Sequence, residues 1–141
     1  MDRLGPIMII EDDPDDQFMF QDVFKALNYE NEIVFFEDGL SALQYLTDTA
    51  IKPFIIFSDI NMPKLNGLEL REKIHENEDL RLKSIPYLFF STTAEQKFII
   101  EAYSKSAQGF FIKPSSFTEL KEVIDLILKY WLKCAAPKYV K

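Results

Sequence analysis

Four short apolar segments of this sequence each end in side chains that could do chemistry. Glu11 and Asp12 follow IMII, and Asp59 follows FIIFS. Ser91 follows YLFF, and Lys113 follows GFFI. Carboxylates combined with a hydroxyl and an ammonium are typical of sites that hold a divalent cation and handle phosphoryl groups.

The chemistry that suits these residues is metal-assisted phosphoryl transfer. Packed carboxylates repel one another, and a hard cation such as Mg²⁺ relieves that repulsion through oxygen ligands. Asp59 could serve as metal ligand and as nucleophile, because carboxylates can form an aspartyl phosphate. Lys113 and the metal would neutralise charge on the phosphoryl oxygens, and the Ser91 hydroxyl would donate a hydrogen bond. Each residue alone has an ordinary explanation, such as a turn or a helix start, but the four positions together indicate a site.

The elements that must position these residues follow from hydrophobic periodicity. Continuous apolar blocks predict strands that are buried on both faces, as in a parallel sheet. Amphipathic stripes predict five helices between and after the strands, the longest running from Leu120 to Trp131. This regular alternation predicts a doubly wound α/β fold, in which ligands bind outside the carboxyl ends of the strands. The predicted strands are residues 6–10, 32–36, 54–58, 86–90 and 109–112.

Composition narrows the class of protein further. The chain has 141 residues, 48% of them hydrophobic, and a formal net charge of −7. That charge disfavours nucleic acid or an anionic membrane as a direct partner, and no apolar run is long enough to span a bilayer. We therefore expect a cytoplasmic protein with one domain over residues 1–133, a short tail over 134–141 and no output domain. The only histidine, His75, leaves no partner for a histidine-based triad or metal site.

The motifs together resemble the receiver domain of two-component response regulators, over nearly the whole chain. MIIEDD resembles the first strand and acidic pair, carried by Glu11 and Asp12. FSDINMPKLNG resembles the phosphoacceptor segment, with Asp59 as the acceptor, and FIKP supplies Lys113. Ser91 fits the family's hydroxyl position, because its interval to Lys113 matches the usual spacing. Glu11 departs from the more usual aspartate of the pair.

The resemblance implies a fold and a site. The fold is a five-stranded parallel sheet of order 2-1-3-4-5 with five helices, over about residues 6 to 132. Asp59 would accept a phosphoryl group, and Mg²⁺ would be held by Asp12, Asp59 and the backbone carbonyl of Asn61, with Glu11 reaching it through water. The Lys113–Pro114 peptide bond is typically cis in this family.

The resemblance also implies a switch. On phosphorylation the hydroxyl, here Ser91, moves toward the phosphoryl group, and the aromatic residue three before the lysine, here Phe110, turns inward. Phe111 lies on the opposite face and is interpreted as core. The signalling surface would comprise the predicted fourth helix, fifth strand and fifth helix, about residues 95 to 133.

The function implied is that of a single-domain response regulator, a signalling module and not a conventional enzyme. It would take its phosphoryl group from a sensor histidine kinase or a histidine phosphotransfer protein, and would catalyse its own phosphorylation and dephosphorylation. The long segment HENEDLRLKSIP resembles stand-alone receivers that serve sensor kinases such as phytochromes. The kinase, the downstream protein target, the phosphoryl lifetime and the oligomeric state, with a homodimer as one option, stay open.

Three alternatives differ in testable features. A phosphatase of the haloacid dehalogenase type requires a second aspartate two residues after the first, where this chain has Asn61. A flavodoxin-like protein would have a hydroxyl- or glycine-rich phosphate-binding loop after the first strand. The corresponding loop here is EDDPDD, whose negative charge would repel phosphate. A degenerate receiver would lack part of the site, yet all five site residues are present.

Overall fold

Five short apolar segments form the strands of one parallel sheet in the computed structural model, which describes residues 1–137. The sheet order is β2-β1-β3-β4-β5, as predicted. The central strands β1, β3 and β4 are buried along their whole length, which explains why their sequences are continuously apolar. The strands are β1 (Ile7–Ile10), β2 (Ile33–Phe36), β3 (Ile55–Ser58), β4 (Tyr87–Ser91) and β5 (Gly109–Ile112).

The register of the strands brings their carboxyl ends to one edge. Ile10 of β1 pairs with Ser58 of β3, and Ser91 of β4 pairs with Ile112 of β5. The residues that follow each strand therefore emerge side by side. This edge is where an open α/β sheet binds its ligands.

Six helices surround the sheet in the described residues, one more than the five predicted. The additional helix, α4, has only five residues, and Leu80 is its one buried side chain, so it shows no amphipathic stripe. Asn77 caps it by accepting a hydrogen bond from the Leu80 N–H at 3.1 Å. The helices are α1 (Pro14–Leu27), α2 (Gly39–Leu46), α3 (Gly67–Glu76), α4 (Glu78–Leu82), α5 (Gln96–Ser104) and α6 (Phe117–Lys133). The predicted fourth and fifth helices are therefore α5 and α6.

Each face of the sheet carries its own hydrophobic core. One core joins the sheet to α2, α3 and α5, and the other joins it to α1 and α6. Beside the second core, the hydroxyl of Tyr29, which follows the C-terminal end of α1, donates to Asp125 Oδ1 of α6 at 2.8 Å. The sheet thus lies between two layers of helices. Because the helices cover both faces, a ligand site is expected at the carboxyl ends of the strands.

Two further features concern the chain as a whole. Among residues 1–137, no helix has both the length and the hydropathy needed to cross a bilayer. Helix α6 ends at Lys133, next to the predicted start of the tail at residue 134. Residues 138–141 of that predicted tail lie outside the described residues.

Candidate functional site

The turn after β1 places one acidic side chain inside the protein and exposes its neighbours. Asp13 caps α1 by accepting hydrogen bonds from the N–H groups of Asp15 and Asp16, at 2.8 and 3.3 Å. The Gln17 side chain donates to the Glu11 carbonyl oxygen at 2.5 Å. These bonds fix the turn, so that Glu11 is 1% exposed while Asp12 and Asp13 face solvent.

The acceptor candidate Asp59 is held at the end of β3 by backbone contacts. Its N–H donates to the carbonyl of Ile10 at 3.0 Å, and its Oδ1 accepts from the N–H of Ile60 at 2.7 Å. The chain then folds back so closely that a Cβ at Gly67 would lie 2.0 Å from the Asp59 carbonyl oxygen. Glycine is required at position 67 for this close approach.

Two buried hydroxyl groups donate hydrogen bonds to backbone carbonyls of the same loop. Ser58 Oγ donates to the Asp59 carbonyl at 2.7 Å, and the Tyr87 hydroxyl donates to the Gly67 carbonyl at 2.9 Å. Burial raises the pKa of Tyr87 above its ordinary value, so its phenol stays a neutral donor. The backbone around Asp59 is therefore fixed by side chains that sequence reasoning did not identify.

Lys113, which follows β5, contacts residues at the ends of three other strands, β1, β3 and β4. Its Nζ donates to Glu11 Oε1, to Asp16 Oδ2 at 2.8 Å and to Asp59 Oδ2 at 2.9 Å. Its backbone N–H donates to the Ser91 carbonyl at 2.8 Å, which joins the ends of β4 and β5. The lysine side chain is only 9% exposed, so these ion pairs are weakly screened by solvent.

Burial and neighbouring charges shift two pKa values at the site. The pKa of Glu11 is raised to about 7, chiefly by burial and also by the charge of Asp59, while the hydrogen bond and charge of Lys113 oppose the rise. Burial would lower the pKa of Lys113, but its hydrogen bonds to Asp16, Glu11 and Asp59 outweigh that effect and raise it. The lysine is therefore a permanent cation among carboxylates.

Three carboxylates could hold a metal ion together. Glu11, Asp12 and Asp59 each offer an oxygen, and these oxygens lie within 4.8 Å of one another. Such a set of hard oxygen donors fits Mg²⁺. Asn61 lies exposed two residues beyond Asp59, on the same loop.

The predicted switch residues lie at the ends of β4 and on β5. Ser91 is 1% exposed, and its Oγ accepts a hydrogen bond from the Thr93 N–H at 3.2 Å. Phe110 packs against Phe89 on one face of the sheet, with ring centroids 5.9 Å apart. Phe111 stacks on Phe90 on the other face at 5.1 Å. The two rings lie on opposite faces as predicted, and each is half-buried against the core of its own face, so Phe111 packs against the core as expected but no more deeply than Phe110.

Two features of the site differ from the sequence interpretation. The Lys113–Pro114 bond is trans, as are all peptide bonds of residues 1–137, in line with the intrinsic preference of about 0.5–1 kcal/mol for trans. Asp16 contacts Lys113 although it was interpreted only as part of an acidic run. Its position in the first turn of α1, three residues after the cap at Asp13, is the sequence feature that could have placed it near the site.

Comparisons with known proteins agree with this geometry. The response regulator receiver domain family matches residues 7–125. The probable methanogenesis regulatory protein FilR2 of Methanothrix harundinacea is 30% identical over 130 residues, which cover 89% of this chain and 83% of that protein. The crystal structure of the phosphorylated cyanobacterial phytochrome response regulator RcpA has a TM-score of 0.83 at 26% identity, covering 94% of this chain and 96% of that one.

A further solved structure is that of a metal-bound relative. The Mn²⁺-bound form of response regulator Rcp1, a Synechocystis protein, has a TM-score of 0.81 at 25% identity, covering 96% of this chain and 99% of that one. The family match over residues 7–125 includes the whole sheet and all four strand ends that carry the site. The chain therefore belongs to the response regulator receiver domain family.

Proposed function

We propose that this protein is a stand-alone receiver that accepts a phosphoryl group on Asp59 from a histidine kinase or a histidine phosphotransfer protein. The observation that carries the proposal is the contact of 2.9 Å between Lys113 Nζ and Asp59 Oδ2, inside a group of carboxylates. A cation beside a nucleophilic carboxylate neutralises the charge that an incoming phosphoryl group brings. The similarity to RcpA, which covers 94% of this chain and was solved in a phosphorylated form, supports the same role.

The metal in this proposal is Mg²⁺, held by Asp12 and Asp59 and by the backbone carbonyl of Asn61, with Glu11 reaching it through water. The proximity of the three carboxylates supports it, and Rcp1 was solved with Mn²⁺. When bound, Mg²⁺ would neutralise part of the charge on the phosphoryl oxygens. With the metal present, Lys113 has fewer carboxylate charges to balance.

In the proposed reaction a carboxylate oxygen of Asp59 attacks phosphorus. The new O–P bond forms as the P–N bond of the donor phosphohistidine breaks, and the electron pair of that bond stays on the imidazole nitrogen. Lys113 moves its ammonium from the Asp59 carboxylate to a phosphoryl oxygen. The hydroxyl of Ser91, which lies at the end of the neighbouring strand, donates a hydrogen bond to a second phosphoryl oxygen.

We propose that phosphorylation is signalled through Ser91 and Phe110 to the surface of α5, β5 and α6. The shift of Ser91 would free the space beside β5 into which the Phe110 ring turns. The phosphoryl group changes the populations only as far as it stabilises one state over the other. Exposed apolar side chains mark this surface as a place of protein contact, either with a target or in a homodimer. They are Ile100, Tyr103, Ile112, Leu126 and Tyr130.

Receiver domains are signalling modules, and we propose that this one spans residues 1–133, acts in the cytoplasm and catalyses only its own phosphorylation and dephosphorylation. The test uses the intact protein with acetyl phosphate and Mg²⁺, followed by mass measurement. We expect one added phosphoryl group on the wild type and none on Asp59→Asn. Sustained turnover of a phosphate ester would instead favour a phosphatase, and uptake by Asp59→Asn would contradict the acceptor assignment.

A further inference from the structure

A third carboxylate shares the ammonium of Lys113 from the solvent side of the site. Asp16 Oδ2 lies 2.8 Å from Lys113 Nζ, while Glu11 and Asp59 hold the same nitrogen from within. The Asp16 side chain is 33% exposed, against 14% for Asp59 and 2% for Glu11. Asp16 therefore stands at the mouth of the site, outside the group of carboxylates that could hold a metal.

The backbone fixes Asp16 in this place. It lies in the first turn of α1, and its N–H donates to the capping carboxylate of Asp13 at 3.3 Å. The Asp15 N–H donates to the same carboxylate oxygen at 2.8 Å, and Asp15 itself is exposed. The two neighbouring aspartates carry the same charge, but only Asp16 forms an ion pair with Lys113 among the contacts found in residues 1–137.

We propose that Asp16 is a positioning residue that restrains Lys113 and thereby slows phosphoryl uptake at Asp59, an inference that rests on the proposed function. To neutralise an incoming phosphoryl group, the ammonium must loosen its bond to Asp16. The charge of Asp16 also repels an anionic donor at the entrance of the site. Both effects act in the same direction, so removing the charge should speed the reaction.

The test compares three variants in the initial rate of phosphoryl uptake from acetyl phosphate at saturating Mg²⁺. Asp16→Asn should react about three- to tenfold faster than the wild type, the range expected for loss of a partly buried ion pair. Asp15→Asn is the matched control, because it removes an equal charge from the next residue without touching Lys113, and should change the rate by less than about twofold. Asp16→Glu, which restores the carboxylate, should return the rate toward that of the wild type.

A second measurement reports on Lys113 in the unphosphorylated protein. The ammonium of Lys113 can be followed by proton–nitrogen NMR, because a buried and hydrogen-bonded ammonium exchanges its protons slowly. Its exchange should be faster in Asp16→Asn and unchanged in Asp15→Asn. Asp16→Ser, which keeps a residue suited to the start of a helix, serves as a second variant if Asp16→Asn does not fold.

The outcomes separate this inference from the proposed function. If the wild type takes up phosphate but Asp16→Asn and Asp16→Ser react no faster, the role of Asp16 is overturned while the acceptor assignment stands. Equal acceleration by Asp15→Asn would also overturn it, because net charge alone would then explain the effect. If the wild type takes up no phosphate at all, the proposed function fails and this inference fails with it.

Discussion

Lys113 Nζ lies 2.9 Å from Asp59 Oδ2, although the two residues are 54 positions apart in the chain. One follows β5 and the other follows β3, and β4 lies between those strands in the sheet. The contact is possible because the parallel register ends all three strands at the same edge, where Ser91 also accepts the Lys113 N–H. The fold thus supplies the cation that the acidic site requires.

Removing the charge of Lys113 should change Mg²⁺ affinity and the rate of phosphoryl uptake in opposite directions. In Lys113→Gln, the carboxylates lose their buried partner, so Mg²⁺ should bind about three- to tenfold more tightly. Uptake from acetyl phosphate should slow by about tenfold or more, because no ammonium reaches the phosphoryl oxygens. Calorimetric titration with Mg²⁺ and a rate measurement test both effects.

The control for that experiment is Lys129→Gln, which removes an equal charge from an exposed lysine that pairs with Asp125. It should alter neither Mg²⁺ affinity nor uptake by more than about twofold. Weaker Mg²⁺ binding in Lys113→Gln would contradict the role assigned to the lysine.

Gly67 should be the glycine least tolerant of a side chain next to the site. A Cβ there would lie 2.0 Å from the Asp59 carbonyl oxygen, a backbone atom that cannot move without displacing the acceptor. Gly67→Ala should therefore lower the free energy of unfolding by about 1–3 kcal/mol and slow uptake. Urea denaturation measures the first effect. In Gly109→Ala the added Cβ meets Leu88 Cδ2 at 2.8 Å, a movable side chain, so a loss as large as that in Gly67→Ala would argue against this explanation.

The Tyr87 hydroxyl should contribute to stability through one buried hydrogen bond. Tyr87→Phe removes the donor to the Gly67 carbonyl and leaves that buried acceptor unpaired. We expect the free energy of unfolding to fall by about 1–3 kcal/mol, measured by urea denaturation. Tyr103→Phe, at a position 53% exposed, should change stability by less than about 0.5 kcal/mol. If the free energy of unfolding fell equally in the two variants, the buried hydrogen bond would not be the source of the stability assigned to Tyr87.

The cap of α2 should make stability depend on pH. The Ser41 N–H donates to Asp38 at 2.7 Å and lowers the pKa of that carboxyl in the folded protein. A lowered folded-state pKa means that the contribution is present above the unfolded-state pKa, about 4, and is lost as the pH falls below it. Asp38→Asn keeps an acceptor but not the charge, so its free energy of unfolding should fall less than that of the wild type between neutral and acid pH. Exposed Asp22→Asn should retain the wild-type dependence, and an Asp38→Asn curve parallel to the wild type would refute the assignment.

The sheet and the four strand ends that carry the candidate site residues could be predicted because each depends on a local pattern. IMII and FIIF are continuously apolar since both faces of β1 and β3 are buried, and polar residues after such strands must lie at one edge. Helix α4 was not predicted, because five residues cannot show a periodic stripe. The contacts of Asp16 with Lys113 and of Tyr87 with Gly67 were missed for another reason, since they join side chains to distant segments and depend on rotamers that no spacing reveals.

The central claim is that Asp59 is the phosphoryl acceptor, and chemical mapping of the modified residue tests it most directly. The protein is phosphorylated with acetyl phosphate and Mg²⁺, reduced with borohydride, digested and sequenced by mass spectrometry. Because borohydride reduces an acyl phosphate to an alcohol, the account predicts homoserine at position 59 and unmodified aspartate at position 12. Homoserine at Asp12, the corresponding alcohol at any other carboxyl group, or no reduced residue in a protein that has gained phosphate would contradict the account.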